Sequence, residues 1–319
     1  MTINLPQNLD FLLDQSWIED FLKKNSEEIF GQKLNIVVTR IERSKSFAPE
    51  VYNMIYDLMM DDKSQILRAS SSTLKERETT FKVMDFIYNN GFSDGSFLVP
   101  QALKFFPELN LMFYIDLDGF MMKDFINEDK NSFAEKVRGA GEALKQFHTL
   151  PIPNFSLPEM DWNIDCEKIS KYAPDLIDML GNRLSKVLEK SKNRVNFVHG
   201  DYQLKNIILG EHLGIIDFGS STLAEKELDI ACFVTQLEIM LKRYADISNF
   251  EYLKQVFLAG YGDFDLSIYE TYDYLYRFQI LQALIVIYYQ DSNANQKEIM
   301  DAIDYWIKII KEKYNGDSK

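Results

Sequence analysis

Residues 195–219 read VNFVHGDYQLKNIILGEHLGIIDFG, and this segment is the most informative part of the chain. Short β-prone runs alternate in it with turn residues, which is typical of a strand, a polar loop and a hairpin. The loop and the end of the hairpin carry three oxygen-bearing side chains, Asp201, Asn206 and Asp217. Mg²⁺ accepts carboxylate and amide oxygens as ligands, and a carboxylate can also take a proton from a hydroxyl group. The segment therefore indicates a site for chemistry.

The spacing of these residues narrows the chemistry. Asn206 follows Asp201 by five positions, and the predicted hairpin leads from Asn206 to Asp217-Phe218-Gly219. This is the pattern H-x-D-x-x-x-x-N followed by D-F-G, which kinases use for phosphoryl transfer from ATP. Either motif alone is a weak signal. The pair at this spacing, flanked by β-prone runs, favours the kinase interpretation over a chance hairpin with polar decoration.

The segment resembles the aminoglycoside phosphotransferase and choline kinase-like family, relatives of the protein kinases. His199-Gly200-Asp201 has a glycine where protein kinases usually have arginine, as that family does. Residues 143–148, ALKQFH, resemble the Leu-x-x-Leu-His segment of the family, and residues 227–231, ELDIA, resemble its Asp-Leu-Ala helix start.

This resemblance implies the roles of the site residues. Asp201 would be the catalytic base, and Asn206 and Asp217 would hold Mg²⁺ for the substrate ATP. His199 would be a structural member of the loop. Asp229 would be a supporting residue in the first turn of a helix, a place that favours a carboxylate in any case. His148 is interpreted as a packed histidine on a helix face and not as a catalytic one.

The expected fold is α+β and two-lobed, like a protein kinase, with a small N-terminal antiparallel sheet plus helix and a larger, mainly helical C-terminal lobe. We predict a nucleotide-binding lobe over 1–114, a hinge over 115–117 and a catalytic and substrate-binding lobe over 118–319. Periodicity predicts a helical segment over 9–29 and a helix over 73–90 in the first lobe. The predicted strands are 34–38, 51–58, 65–68, 97–99 and 111–117. The later predicted helices are 133–149, 173–190, 229–244, 252–258 and two long segments between 268 and 313.

The nucleotide side of the site is predicted from the first lobe. Protein kinases place a strand lysine on the phosphates and pair it with a helix glutamate. Arg68 stands at the matching place and can make a charge-assisted contact to phosphate. We therefore predict that Arg68 binds phosphate and pairs with Glu78, with Glu76 as the second choice.

The segment expected to cover the phosphates, residues 43–50, contains no glycine. Backbone amides of a serine-rich turn around Ser46 can still reach phosphate, although glycine normally permits the closest approach. The adenine edge is expected to bind the backbone of the hinge, at Asp116 and Leu117.

Composition bounds the possible partners. The formal net charge of −14 opposes extended contact with nucleic acid or anionic lipid, which require clustered Lys and Arg, and suits a cationic ligand. Cys166 and Cys232 stand far apart and have no CxxC or Cys/His companions, which argues against a disulfide framework or a zinc site. No basic start precedes an apolar run, so we expect a cytoplasmic protein without a secretory signal. The sequence carries no signal of the oligomeric state.

The acceptor is predicted only by class. The late helical region is rich in acidic and tyrosine residues, which suit an amine or quaternary ammonium group. The candidate substrate residues are Asp263, Asp265, Glu270 and Asp273, with a solvated helix face as the alternative. An aminoglycoside or amino alcohol is the leading hypothesis, and neutral sugars, macrolides and homoserine-like acceptors stay open.

Two other functions are considered. A kinase-fold binding protein without turnover is motivated by the glycine-free loop. A protein kinase is disfavoured because no Ala-Pro-Glu segment follows Gly219, and only nine residues separate Gly219 from Asp229.

Overall fold

The computed structural model describes residues 8–44, 50–61, 63–160, 165–190, 196–290 and 295–314. These described residues fall into two compact units. The first unit comprises the chain up to 121 together with 153–156 and 206–219, and the second comprises 122–152, 157–205 and 220 onward. The 206–219 hairpin thus belongs with the N-terminal unit, while the boundaries predicted for the lobes and the hinge stay predictions.

The strands of the described residues are β1 (Ile36–Ser44), β2 (Val51–Met60), β3 (Lys63–Ser72), β4 (Phe97–Leu98), β5 (Gln101–Phe106), β6 (Leu111–Ile115), β7 (Phe120–Met121), β8 (Asn196–Val198), β9 (Ile207–Leu209), β10 (Leu213–Ile215) and β11 (Thr222–Ala224). The α-helices are α1 (Gln15–Lys24), α2 (Ser26–Phe30), α3 (Glu78–Ile87), α4 (Lys130–Phe147), α5 (Cys166–Ser170), α6 (Pro174–Lys190), α7 (Glu227–Tyr244), α8 (Phe250–Tyr261), α9 (Leu266–Gln290) and α10 (Gln296–Tyr314). None of the helices in the described ranges is both long and apolar enough to cross a membrane.

The first unit is built on an antiparallel sheet in the order β1-β2-β3-β6-β5. The predicted meander is therefore confirmed, although β5 was missed because the sequence pattern placed only one short strand between 97 and 110. A smaller sheet in the same unit has the order β4-β10-β9-β7. Within it, β9 and β10 form the antiparallel hairpin predicted from the motif segment.

The N-terminal segment packs on the main sheet but is not one continuous helix. A 3-10 turn at Asp10–Leu13 precedes α1, whose start is capped by Asp14 accepting the backbone N–H of Trp17 at 3.0 Å. This cap ends one element and begins the next, so the uniform helix predicted for 9–29 is divided. Ile18 and Leu22 of α1 are buried in the same core as Leu58 of the sheet.

Helix α3 begins later than predicted because the chain before it is tied to a buried asparagine. Asn110 is fully buried, and its Nδ2 donates to the carbonyls of Ser72 and Lys75, both at 2.8 Å. Its Oδ1 accepts the backbone N–H of Arg77 at 2.8 Å. These hydrogen bonds hold residues 72–77 in a non-helical path, and the helix starts only at Glu78.

In the second unit, α4 and α8 approach each other so closely that glycine is required at the crossing. A Cβ atom added to Gly141 would lie 2.4 Å from the carbonyl oxygen of Phe257. A Cβ added to Gly260 would lie 2.3 Å from the carbonyl oxygen of Arg138. Both obstacles are backbone atoms, which cannot turn aside as a side chain would.

Gly260→Ala is expected to destabilise the protein by about 2–3 kcal/mol, because the added methyl group forces α4 and α8 apart. The midpoint of urea unfolding measures this loss. Gly181→Ala on α6 is the matched control, since a Cβ there meets nothing within 4 Å. The control should stabilise the protein by about 0.5–1 kcal/mol through helix propensity alone. Equal effects of the two variants would contradict the close crossing.

Candidate active site

The loop that carries Asp201 is held in place by a buried carboxylate in the second unit. Asp229, in the first turn of α7, is fully buried and accepts the backbone N–H groups of His199 at 2.7 Å and Gly200 at 2.8 Å. With its proton on Nε2, His148 donates to Asp229 at 3.0 Å and accepts from the Tyr261 hydroxyl at 2.9 Å. This arrangement fixes the loop backbone at the two residues that directly precede Asp201.

The loop conformation also explains the glycine of the His-Gly-Asp motif. Gly200 has φ = +82°, and a Cβ there would lie 2.0 Å from the carbonyl oxygen of Ser220. Its own carbonyl accepts a hydrogen bond from Tyr276 at 3.3 Å. A side chain at this position would therefore suffer both backbone strain and a clash with the neighbouring chain.

The Asp201 carboxylate is only partly buried. Gln203 Nε2 donates to both of its oxygens, at 2.8 and 2.9 Å. The backbone N–H of Asp201 donates to His199 Nδ1 at 3.3 Å. Gln203 thus orients the carboxylate, and a positioned carboxylate is what a general base for a hydroxyl group requires.

The β9–β10 hairpin brings Asn206 and Asp217 to the same end of the first unit's small sheet. The backbone N–H of Ile216 donates to the carbonyl of Asn206 at 3.0 Å, so Asp217 follows directly on a residue bonded to Asn206. Asn206 is 6% exposed. Asp217 has φ = +66°, a left-handed conformation that aspartate tolerates better than most residues and that is common at functional sites.

These two residues suit Mg²⁺ better than a metal that needs a full protein cage. In the described ranges, no group of three or more His, Cys, Asp and Glu side chains could hold a metal ion. Mg²⁺ is usually held by one or two protein oxygens, with water and substrate phosphates completing the shell. One carboxylate and one amide therefore fit the predicted magnesium site.

A cavity of about 430 Å³ lies within the first unit beside Asp217. Its polar and charged lining comprises Ser44, Asn53, Arg68, Ser70, Arg77, Thr80, Tyr114, Asp116 and Asp217. Apolar residues, among them Val51, Met84 and Met121, line the remainder. A concave site with apolar walls and a few charged groups is what a nucleotide requires.

Arg68 has a different ion-pair partner from the predicted one. Its Nε lies 2.9 Å from the Asp116 carboxylate, whereas Glu78 pairs with Lys82 at 2.6 Å along α3. The register of β3 on β6 places Arg68 opposite Tyr114, so Asp116 is its diagonal neighbour across the strands. This proximity corrects the predicted Arg68–Glu78 pair.

The structure describes some of the other residues that were predicted to bind the nucleotide. Leu117 lines a second cavity of about 240 Å³ in the first unit and packs against Gly214. Its backbone contact to adenine stays a prediction, as does that of Asp116. Ser46 lies outside the described residues.

Solved structures share this architecture. A choline/ethanolamine kinase family protein from Mesorhizobium loti matches with a TM-score of 0.59 at 14% identity, over 92% of this chain and 94% of the other. A spectinomycin phosphotransferase in complex with ADP and spectinomycin matches with a TM-score of 0.58 at 14% identity, over 92% and 97%. An amicoumacin kinase in complex with AMP-PNP and Ca²⁺ matches with 0.58 at 13% identity, over 93% and 94%. The chain has the fold of these small-molecule kinases.

This small-molecule kinase fold confirms the fold expected from the motif segment, with an antiparallel sheet in the N-terminal unit and a mainly helical second unit. No protein-family model and no curated protein sequence matches the chain.

Two of the four predicted substrate residues have structural roles. Asp265 accepts the backbone N–H groups of Ser267 at 3.0 Å and Ile268 at 3.1 Å, and so caps the start of α9. Asp263 is exposed and Glu270 is half-buried, and a role for either stays a prediction.

Asp273 is fully buried and is paired with Arg277 and Lys313. Burial alone would raise the pKa of Asp273, but the two cations outweigh it and hold the pKa well below its usual value. Its predicted contact with substrate is therefore corrected, because the carboxylate is enclosed by α9 and α10 and already neutralised.

Asp229→Asn should destabilise the protein and loosen the loop backbone at His199 and Gly200. The asparagine side chain has only one acceptor oxygen, so its NH₂ group would face one of the two backbone N–H groups. That buried N–H would lose its acceptor, at a cost of about 2–4 kcal/mol. Thermal unfolding and amide hydrogen exchange at His199 and Gly200 measure the effect. Asp301→Asn, an exposed change on α10, is the control. Unchanged exchange at both amides would contradict the anchoring role.

Sequence reasoning missed Arg77 and Gln203. Gln203 stands two residues after the predicted base, and that spacing within a tight loop is the signal that could have identified it. Arg77 directly precedes the predicted helix glutamate, but its inward position depends on Asn110, which is distant in sequence.

Proposed function

We propose that the chain is an ATP-dependent phosphotransferase that phosphorylates a hydroxyl group of a small molecule. The observation that carries this proposal is the β9–β10 hairpin, which sets Asn206 beside Asp217 at the edge of a cavity in a small-molecule kinase fold. Asp201 lies on the anchored loop that leads into this hairpin, and we assign it as the base that acts on the acceptor.

Asp201 orients the acceptor hydroxyl and takes its proton as the oxygen attacks the γ-phosphorus of ATP. A bond forms between the acceptor oxygen and phosphorus, the bond to the β–γ bridging oxygen breaks, and ADP leaves with that oxygen. Gln203 holds the carboxylate in the orientation required for proton transfer. Asp217 and Asn206 would hold Mg²⁺, which supplies neutralisation of the phosphate charge when bound.

The acceptor in this proposal is cationic, such as an aminoglycoside or an amino alcohol. The net charge of −14 supports it, because an acidic protein attracts cations and repels anionic alternatives. Solved structures of the same fold include a streptomycin complex and an ethanolamine kinase. Asp263 and Glu270 are the candidate ammonium-binding residues, since neither is taken up in a buried ion pair.

Mg²⁺- and ATP-dependent transfer by purified protein, assayed across aminoglycosides, amino alcohols, macrolides and sugars, tests the proposal. Mass spectrometry identifies the phosphorylated product and a coupled ADP assay gives the rate. A product with a cationic acceptor supports the proposal in full, and a product only with neutral acceptors keeps the reaction but overturns the cationic class. Nucleotide binding without any product would favour a binding protein.

A further inference from the structure

The charged groups of the first unit's cavity belong to two different parts of the fold. Asp116 directly follows strand β6, at the segment predicted to bind adenine, whereas Asp217 follows the β9–β10 hairpin and is the proposed metal ligand. If Asp217 and Asn206 hold Mg²⁺, the phosphates of a bound nucleotide should lie on the Asp217 side of the cavity, because protein-bound Mg²⁺ usually takes substrate phosphates as further ligands. A cation that binds phosphate should therefore accompany Asp217 and not Asp116.

Arg68 does not meet this requirement. Its guanidinium lies 2.9 Å from the Asp116 carboxylate, which neutralises its charge at the adenine side of the cavity. Ser70, the next residue of β3 on the same face, hydrogen-bonds Asn53 Oδ1 at 2.7 Å and carries no charge. Strand β3 thus presents no uncommitted cation near the proposed metal ligand within the part of the chain that the structure describes.

Arg77 meets the requirement from the start of α3. It lines the same cavity as Asp217 and Thr80, and Thr80 lies about one helical turn after Arg77. Thr80 and Asp217 both lie close to Gly219. A Cβ added to Gly219 would be 3.7 Å from Asp217 Oδ1 and 4.0 Å from Thr80 Oγ1. Burial lowers the pKa of Arg77, and the nearby Asp217 carboxylate partly offsets this effect. Arginine stays charged at neutral pH under such a shift.

The backbone of Arg77 is fixed while its side chain keeps binding capacity. Its N–H is held by the buried Asn110 at 2.8 Å, and Glu76 accepts the N–H of Thr79 at 2.8 Å. Among the described residues the buried Nε atoms of Arg77 and Arg68 both have no hydrogen-bond partner, but that of Arg68 lies 2.9 Å from the Asp116 carboxylate in an ion pair. A guanidinium carried on a fixed backbone, with an unsatisfied N–H, can make a bidentate contact to phosphate oxygens.

We propose that Arg77, and not Arg68, is the residue that binds the β- and γ-phosphates of the nucleotide. The proposal rests on the proposed kinase function and deepens it. Arg77, at the start of α3, thus supplies the phosphate-binding cation that protein kinases place on a strand. The Arg68–Asp116 ion pair instead lines the adenine side of the cavity.

Calorimetric titration of Arg77→Gln with ATP, ADP and adenosine tests this assignment, both with Mg²⁺ and with a chelator. The variant should bind ATP and ADP about 10- to 100-fold more weakly than the native chain, with adenosine affinity unchanged. Arg77→Lys keeps the charge and should recover part of the loss. Adenosine binding also reports that each variant is folded.

Two arginine variants serve as controls. Arg40→Gln, on the exposed face of β1, should leave all affinities unchanged. Arg68→Gln should lower the affinities for adenosine and for ATP by the same factor, since the Arg68–Asp116 ion pair that it removes lies on the adenine side of the cavity. The proposal is overturned if Arg68→Gln loses affinity selectively for ATP and ADP while Arg77→Gln binds them as the native chain does. A native chain that binds none of these ligands would instead refute the kinase function itself.

Discussion

Replacing Asp201 by asparagine should lower the rate of phosphoryl transfer by about 10³-fold while the affinity for MgATP stays within about twofold. The amide keeps the size of the side chain but cannot take the proton of the acceptor hydroxyl. Gln203 would then face a group with a single acceptor oxygen, so the orientation of the side chain is lost as well. Single-turnover kinetics measure the chemical step and calorimetry measures nucleotide affinity.

Asp304→Asn on α10 provides the control for Asp201→Asn, because it removes one exposed carboxylate of the same unit without touching the loop. Its rate should equal that of the native chain. Gln203→Ala should have a smaller effect than Asp201→Asn, about tenfold, since the base remains and only its orientation suffers. Native turnover by Asp201→Asn would refute the assignment of the base, whatever the other variants show.

The elements that could be predicted are those written in short stretches of sequence. The strand, loop and hairpin of residues 195–219 depend on local alternation and turn residues, and the structure reproduces them. The helices with a clear apolar face, such as α4, were also found to within a few residues. Local patterns suffice here because each element's own residues determine its type.

The ion pairs could not be predicted, because they depend on contacts between distant segments. Arg68 meets Asp116 through the register of β3 on β6, and no local feature of either strand encodes that register. Asp273 looked like a residue of an acidic helix face, but packing of α9 against α10 buries it beside Lys313. A carboxylate in an acidic stretch therefore carries little information about substrate until its burial is known.

The start of α3 shows how one buried side chain can move a functional residue. Helix propensity extends the predicted helix back to residue 73, yet Asn110 captures the backbone at Ser72, Lys75 and Arg77. Tertiary hydrogen bonds outweigh propensity, which favours either path by only a few tenths of a kcal/mol per residue. The same hydrogen bonds fix the backbone from which Arg77 enters the cavity.

Replacing Asp217 by asparagine should remove most of the Mg²⁺ dependence of nucleotide binding and lower transfer by roughly a hundredfold or more, because metal ligation contributes several kcal/mol. Asparagine tolerates the left-handed backbone of this position as well as aspartate does, so the fold should persist. Asp61→Asn is the matched control, since Asp61 also has a positive φ, of 50°, and lies on a surface turn of the same unit. Titration of ATP at a series of Mg²⁺ concentrations measures the coupling between metal and nucleotide. Coupling that survives in Asp217→Asn at the level of Asp61→Asn would mean that Asp217 holds no metal.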